Sequence, residues 1–519
     1  MDDEDINNLI NKEANTMNWL ASSAVESLTH KVFSAEQVRE NEPVAAEKAA
    51  CSMFQLMQRA GDAVFKQLIA RWPNARRILV VVGHGNNGGD GYIVGILARQ
   101  KGLQVILCCA DPKRLPSGDA RIAQQQWLKT GGQVVSWQEL EFADFDVIVD
   151  GLLGTGIKGE VQEPYQSIIS AINDSAAAVL SIDLPSGLDA NKGYPLGSAV
   201  NADCTVTFVG IKSGLVSAKG KECAGELIFD DLGIGVEFSA LVTPQATVVN
   251  YASLKPLPIR AINAHKGTNG KLLCIGGNNG MPGAIRMSGE AALRTGAGLV
   301  KVFCHPASEL AVSIGRPELM LASGHVEEQL HWASCFAIGP GLGQDEWSLA
   351  LFDTLRQHLT KHPKPLVIDA DGLNLLASRP EWINSLRPAV ITPHPGEAAR
   401  LLNCKIDDIE NNRFFAALEL AKKYQTCCVL KGAGTIVSNT SQSVVCSDGN
   451  PGMATGGMGD VLTGITAALL AQGIPAFQAA VYAVCLHAKA ADTVAAECGQ
   501  RGILASDLFE PLRALINWA

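Results

Sequence analysis

The run Asn450-Pro451-Gly452-Met453-Ala454-Thr455-Gly456-Gly457-Met458-Gly459-Asp460-Val461-Leu462 sets a carboxylate at the end of a glycine cluster. The glycines let the backbone wrap closely around anionic oxygens. The apolar residues from Val461 onward have helical character, so Asp460 stands near a helix N-terminus, where the dipole favours an ionised carboxylate. Asp460 is therefore expected to act as a base by position rather than by a raised pKa. The amides beside it would stabilise a phosphoryl group in transfer. Lys431-Gly432-Ala433-Gly434-Thr435 follows an apolar run at 428–430 and suits a nucleotide phosphate, although it lacks the G-x-x-x-x-G-K-[ST] of a P-loop. His394 lies between Pro393 and Pro395, whose stiffness suits a fixed ligand contact. Gly276–Gly280 followed by Gly283-Ala284, Gly339–Gly343 and Asp369–Asn374 are further loops of the same kind.

A second group lies earlier in the chain. Gly85-Asn86-Asn87-Gly88-Gly89-Asp90-Gly91 falls between an apolar run at 78–82 and a helix expected over 92–99. Bare N–H groups and a helix start can face an anion there, and the paired asparagines add carbonyl oxygens for a cation. The spacing is not G-x-G-x-x-G, which argues against an ordinary dinucleotide fingerprint and an NAD-dependent dehydrogenase. Asp150 opens a second loop, Gly151-Leu152-Leu153-Gly154-Thr155-Gly156. Ser181-Ile182-Asp183-Leu184-Pro185-Ser186-Gly187 is a third. An acid at a strand end is often only an N-cap, but three such loops on one sheet edge point to a pocket.

These loops need strands to carry them. Short continuous apolar runs recur at 78–82, 105–108, 147–150, 178–183 and 206–209. They recur again at 272–275, 299–302, 336–338, 366–369, 389–392 and 428–430. Alternating with helices, they predict α/β domains with parallel sheets covered on both faces and ligands at the carboxyl ends of strands. Helical spacing is also expected from about 34 to 66. The chain has 519 residues, which suits two or three domains. Pro256 and Pro258 mark a junction, dividing the chain into an N-terminal extension at 1–31 without chemistry, a domain at 32–247 and a domain at 248–519.

A net charge of −10 argues against nucleic-acid binding. The 14 cysteines show no metal spacing and read as reduced core residues. The acidic N-terminus lacks signal-peptide character and no apolar run reaches membrane-spanning length, so a cytoplasmic protein without a membrane partner is expected.

The strings GHGNNGGDGY, DGLLGTG and SIDLPSGLDA resemble the NAD(P)H-hydrate epimerase domain, a Rossmann-like fold. The resemblance implies that Asn86, Asn87, Gly88, Gly89 and Asp90, with Gly154, Thr155, Gly156, Ile157, Lys158, Gly159 and Glu160, contact the hydrated nucleotide. It also implies that Asp183 touches the reacting ring and that Asn87, Asp150 and Ser186 hold potassium. IGPGLG, DADGLNLL, TPHPGEAARLL, KGAGT and GMATGGMGD resemble the ribokinase-like family, in its NAD(P)H-hydrate dehydratase branch. By that resemblance Lys431, Gly432, Ala433, Gly434, Thr435 and Gly459 bind the nucleotide. Ala284, Gly343, His394 and Asp460 contact the substrate, with Asp460 catalytic. The implied function is repair of hydrated NADH and NADPH, with ADP and Mg2+ serving the second domain. A homo-oligomer is the expected assembly. The competing reading is a small-molecule kinase fused to a non-catalytic binding module.

Overall fold

The structure is a computed structural model describing residues 17, 19–22, 27–157 and 159–517. Residues 1–16 of the expected extension, and Lys158, lie outside the described residues. Residues 27–247 form one compact unit; the described residues up to 22 join those from 248 onward in the other.

The N-terminal unit is built on seven strands: β1 (Arg77–Val82), β2 (Gln104–Cys109), β3 (Val134–Ser136), β4 (Val147–Gly151), β5 (Ala178–Ile182), β6 (Cys204–Phe208) and β7 (Glu226–Asp230). They lie in the order β3-β2-β1-β4-β5-β6-β7, all parallel. The order reverses between β1 and β4, so the loops leaving those strands diverge and open a crevice at their carboxyl ends. Within β1, Ile78, Val80 and Val82 enter one core while Leu79 and Val81 enter another. Burial on both faces is why this strand is a continuous apolar run rather than an alternating one.

Two helices occupy the stretch expected to be helical from 34 to 66, namely α1 (Ala35–Lys48) and α2 (Met53–Arg71). Each opens with a reciprocal capping box, Ser34 with Gln37 and Ser52 with Gln55. Ala50, at φ 53°, breaks the chain between them. The helix expected at 92–99 also differs, because α3 spans Asn86–Gln100. A Cβ on Gly83 would stand 2.0 Å from Leu152 O, and one on Gly88 would stand 2.1 Å from Gly83 O. Glycine at both places lets the helix begin almost against the strand end, so most of the supposed loop is its first turns.

The C-terminal unit repeats the reversal. Its strands are β8 (Lys271–Ile275), β9 (Leu299–Phe303), β10 (Met320–Leu321), β11 (Cys335–Ile338), β12 (Leu366–Ile368), β13 (Val390–Ile391), β14 (Cys427–Leu430), β15 (Ile436–Ser438) and β16 (Ser443–Cys446). Their order is β10-β9-β8-β11-β12-β13-β14-β15-β16; the pairs are parallel as far as β14 and antiparallel beyond it. The switch point falls between β8 and β11. The helices of this unit include α4 (Pro282–Arg294), α5 (Ala370–Ser378), α6 (Pro395–Leu402), α7 (Met458–Ala471) and α8 (Ala476–Cys498). Helices α4 and α7 pack so closely that a Cβ on Gly464 would lie 2.1 Å from Ser288 O.

Part of the N-terminal extension is structural in this unit. Leu20 is buried and bridges Leu254, and the Trp19 ring packs against Phe477 and Tyr482. Tyr482 Oη donates to Lys255 O at 2.5 Å, and Lys255 N donates to Trp19 O at 3.0 Å.

Candidate active sites

In the N-terminal unit, the loops after β1, β4 and β5 meet at the switch point. Asp150, wholly buried at the end of β4, receives four hydrogen bonds. Leu152 N (3.2 Å) and Ser186 Oγ (2.5 Å) donate to Oδ1; Ser181 Oγ (2.9 Å) and Ser186 N (2.8 Å) donate to Oδ2. Burial nevertheless pushes its carboxyl above the usual range, against these bonds. Asn87 Nδ2 donates to Leu153 O at 3.1 Å, while Asn87 Oδ1 is buried without a partner. An orphaned buried carbonyl oxygen is costly unless something takes its lone pairs. Asn87 Cβ lies 3.3 Å from where a Gly154 Cβ would stand, so the first and second loops touch.

The glycines of the first loop divide by role. Gly89 donates its N–H to Gly85 O, and its bare α-carbon makes room for Met57, whose Cε lies 2.5 Å from where a Cβ would be. Gly89 thus serves packing. Gly156 and Gly159 meet nothing within 4 Å of a would-be Cβ; beside them Thr155 and Ile157 are half-buried and Glu160 is exposed.

Asp183 follows β5 with φ 62°, a left-handed backbone uncommon outside glycine. Its Oδ1 accepts from Thr207 Oγ1 (3.2 Å), Phe208 N (3.2 Å) and the Lys212 ammonium. Lys212 is only 2 % exposed and also donates to Thr207 Oγ1 (3.1 Å) and Phe208 O (3.0 Å). The short strand Ile211–Lys212 that carries it runs parallel to Lys31–Phe33, with Phe33 opposite Lys212. Sequence reasoning missed Lys212. The available signal was a lysine in the stretch Phe208 to Leu215, which otherwise reads as core.

In the C-terminal unit a charged cluster gathers at the ends of β12, β13 and β14. Lys431 Nζ pairs with Asp369 Oδ1 at 2.8 Å and approaches Glu397 Oε2 at 3.8 Å. Thr463 Oγ1 on α7 donates to Asp369 Oδ2 at 2.6 Å. Burial opposes ionisation of Asp369, but the Lys431 ammonium and the bonds from Lys431 and Thr463 outweigh it and hold the carboxyl below the usual range. A Cβ on Gly459 would lie 3.4 Å from Lys431 Nζ and 3.8 Å from Asp369 Oδ2, so Gly459 borders the ion pair directly.

Asp460 sits in the first turn of α7 after Gly457, whose φ is 91°. Ser288 Oγ on α4 donates to Asp460 O at 2.8 Å and to Ala284 O at 3.3 Å, tying the acid to the helix that carries Ala284. The expectation that its pKa would not be raised is overturned. Burial, followed by the negative charge of Asp369, pushes Asp460 up to about 7, with Lys431 pulling the other way. Desolvation and the neighbouring Asp369 charge outweigh the helix dipole here.

His394 caps α6 by accepting Gly396 N–H on Nδ1 at 3.0 Å. The proton therefore sits on Nε2, 3.4 Å from Glu397 Oε1. Burial and then Lys431 lower the His394 pKa, keeping the ring neutral, and burial raises Glu397 to about 7. At the switch point Gly343, with φ 76°, donates its N–H to Asp371 Oδ2 at 2.8 Å, and Ala284 lies against Gly341. Gly432 and Gly434 have φ of 138° and 67°. The buried Arg413 fixes their loop through Lys431 O at 3.0 Å, while Thr435 Oγ1 donates to Gly432 O. Asp369, Glu397 and Arg413 escaped sequence reasoning as site residues because their role depends on partners distant in the chain.

Two α/β units, one Rossmann-like and one ribokinase-like, each with polar groups gathered at its strand ends, define a two-site enzyme. A family model described as YjeF-related protein N-terminus matches residues 53–214, and one described as NAD(P)H-hydrate dehydratase matches residues 272–513. The chain is 41% identical to the bifunctional NAD(P)H-hydrate repair enzyme Nnr of Escherichia coli (strain K12), over 95% of each chain. It is 44% identical to the enzyme of that name from Coxiella burnetii, over 94% of this chain and 99% of the relative. Among solved structures, an ADP/ATP-dependent NAD(P)H-hydrate dehydratase from Bacillus subtilis, co-crystallised with ATP/Mg2+, is 27% identical. The match covers 50% of this chain and 93% of that one, with a TM-score of 0.44. The chain belongs to the bifunctional NAD(P)H-hydrate repair enzymes, which join an epimerase domain to a dehydratase domain. The kinase reading is not favoured. Among the described residues no helix is long and apolar enough to cross a membrane.

Proposed function

We propose that the N-terminal unit interconverts the epimers of hydrated NADH and NADPH at Asp183, and that the C-terminal unit dehydrates the S epimer at Asp460 with ADP as phosphoryl donor. The observation that carries the second half is the ionisable Asp460 beside the Lys431–Asp369 pair at the start of α7. The first N–H groups of that helix have no intrahelical partner and suit phosphoryl oxygens. The Asp460 carboxylate takes the proton of the ring hydroxyl as its oxygen attacks the terminal phosphorus of ADP, and AMP leaves. Phosphate then departs with the C–O electron pair while the ring nitrogen's lone pair forms the C=N bond. Loss of a ring proton restores the dihydropyridine. Lys431, Gly432, Ala433, Gly434, Thr435 and Gly459 hold the nucleotide in this reading. Ala284, Gly343 and His394 hold the substrate.

Magnesium would arrive with the nucleotide, since it is generally held by one or two carboxylates together with phosphate oxygens. Glu397 and Asp369 are the acids beside Lys431 that fit. The donor is tested by measuring kcat/KM for ADP and ATP at saturating substrate. ADP is expected to be favoured, with AMP and orthophosphate formed in equal amounts; a preference for ATP overturns the assignment.

Potassium fits the first site, because the orphaned Asn87 Oδ1 lies beside the loop that Asp150 and Ser186 hold together. These are hard oxygens with a single formal charge. When bound, the ion supplies a fixed positive charge near the substrate phosphates. Asn87→Ala is expected to abolish the rise in melting temperature that K+ gives over Na+, with epimerase activity falling about tenfold on loss of a charge-assisted contact. An unchanged K+ response would remove Asn87 from the site. All fourteen cysteines are free thiols, which supports a reducing, cytoplasmic setting. A homo-oligomer is the assembly carried with this reading, and sedimentation of the intact chain reads it directly.

A further inference from the structure

The glycine run that leads to Asp460 opens on Asn450, and a half-buried acid of α8, Asp492, holds that end of it. Asn450 Nδ2 donates to Asp492 Oδ1 at 2.7 Å, and the N–H of Gly449 donates to Asp492 Oδ2 at 2.9 Å. A carboxylate only accepts, so the Asn450 amide turns its Nδ2 toward Asp492 and keeps Oδ1 for another donor. Gly452 N is that donor, at 3.0 Å, and Asn450 thereby caps the short turn Pro451–Met453. Packing seats the same end on α8. The Cys446 thiol at the end of β16 lies 3.9 Å from that of Cys485, and both are buried. Cys485 stands about two turns before Asp492 on one face of α8. A Cβ on Gly452 would stand 2.5 Å from Gln500 O, just past the helix end.

The other end of the run is anchored on a different helix. Gly457, with φ 91°, brings the chain against α4, where a Cβ would lie 2.6 Å from the Met287 sulfur. Ser288 Oγ then holds Asp460 O at 2.8 Å. Between the two anchors Ala454, Thr455 and Gly456 are exposed, and a Cβ on Gly456 would meet nothing within 4 Å. The run is thus held at its ends and uncovered in the middle. It passes directly into the first turn of α7, whose leading N–H groups have no intrahelical partner. The path of those amides is set by both anchors, and one carboxylate supplies the polar half of the first.

We propose that Asp492 is a positioning residue of the dehydratase reaction. Through Asn450 and Gly449 it fixes the upstream anchor of the glycine run, and so sets where the amides before Asp460 meet the transferred phosphoryl group. This rests on the reading of Asp460 as the base of that reaction. In that reading ADP is held by the loop after β14, and the hydrated ring by Ala284, Gly343 and His394. Slackening the clasp therefore leaves the binding of both in place. What it disturbs is the alignment of the phosphoryl group in flight. Contacts made only in the transition state are lost from kcat, not from KM. Asp492 exerts this effect through the backbone of the run.

The test is a donor–acceptor swap in the full-length protein, with epimerisation as internal control. Asn450→Asp keeps the oxygen that accepts from Gly452 N but sets a second carboxylate against Asp492. Dehydratase kcat is expected to fall about 10²-fold, the scale of a small misplacement far from the chemistry. The KM values for ADP and for the S epimer should stay within about threefold of wild type. Adding Asp492→Asn re-forms the clasp with donor and acceptor exchanged: the new amide donates to the carboxylate at 450 and still accepts from Gly449 N. The double variant is expected to regain most of the lost kcat. A kcat within about threefold of wild type in Asn450→Asp overturns the proposal. So does a double variant as slow as the single one, or a loss that falls on KM with kcat kept. Should Asn450→Asp fail to fold, Asp492→Ala decides. The same fall in kcat at constant KM supports the proposal, and a lowered melting temperature with kcat unchanged reduces the clasp to a packing device. Asp460→Asn separates the two levels: if it leaves dehydration intact, the site itself is misassigned, whatever Asp492 does.

Discussion

Replacing Asp460 with asparagine is expected to lower the dehydratase rate about 10³-fold, within the range for loss of a positioned base, while epimerisation proceeds unchanged. The amide is nearly isosteric, so the bond from Ser288 Oγ to the residue 460 carbonyl survives and the start of α7 keeps its geometry. What is lost is the carboxylate proposed to accept the hydroxyl proton. The pH dependence carries the same argument. Asp460 must be ionised to act as base, and burial together with Asp369 lifts it to about 7. Wild-type dehydration at saturating substrate is therefore expected to climb through pH 7, and the residual rate of Asp460→Asn to lack that rise. The sign for stability is opposite. A folded-state pKa raised from 3.8 to about 7 means the folded unit keeps a proton that the unfolded chain has released, so this group makes folding less favourable as pH rises across that window. Activity and stability of the C-terminal unit should diverge between those values, as thermal melts and initial rates on the same samples would register.

Lys212→Met is expected to be the most damaging change in the N-terminal unit. Methionine fills much of the buried volume but removes the ammonium that Asp183, Thr207 and Phe208 O all engage. Breaking one side of a buried ion pair costs about 3–5 kcal/mol, because the remaining charge is stranded. The same change takes away the cation beside the carboxylate proposed to serve epimerisation. Epimerase activity should fall to the spontaneous rate and the first melting transition should move down, with dehydratase kcat on pure S epimer retained. Retention of epimerisation would show that the pair is only a packing device.

Most of the scaffold was readable from local pattern. A strand buried on both faces must be apolar throughout, which is why the runs at 78–82 and 366–369 pointed to parallel sheets. The capping signals Ser34–Gln37 and Ser52–Gln55 are written as S-x-x-Q, yet the interruption at Ala50 was invisible, since alanine carries no mark of a left-handed backbone. The start of α3 was misplaced for a related reason: glycines that suggest a loop were needed where helix, strand and Leu152 O come within contact. The loops bearing Asp150, Asp183 and Asp460 were legible because acid and glycine stand side by side in sequence. Lys212, Asp369 and Glu397 were not, because each acquires its meaning from charges brought up by other strands and helices. The Asp460 pKa failed on the same ground. Its helix position is local information, whereas its desolvation and its neighbour Asp369 are tertiary.

The central claim is that one chain repairs both epimers, with phosphate as a transient leaving group. The direct measurement is to give the full-length protein an equilibrium mixture of the two NADHX epimers with ADP, Mg2+ and K+. Absorbance at the reduced-nicotinamide band and orthophosphate release are followed together. Recovery of the whole mixture is expected, with orthophosphate rising mole for mole with NADH. Recovery that halts at the share of one epimer, or a phosphorylated nucleotide that accumulates in place of NADH, would contradict it.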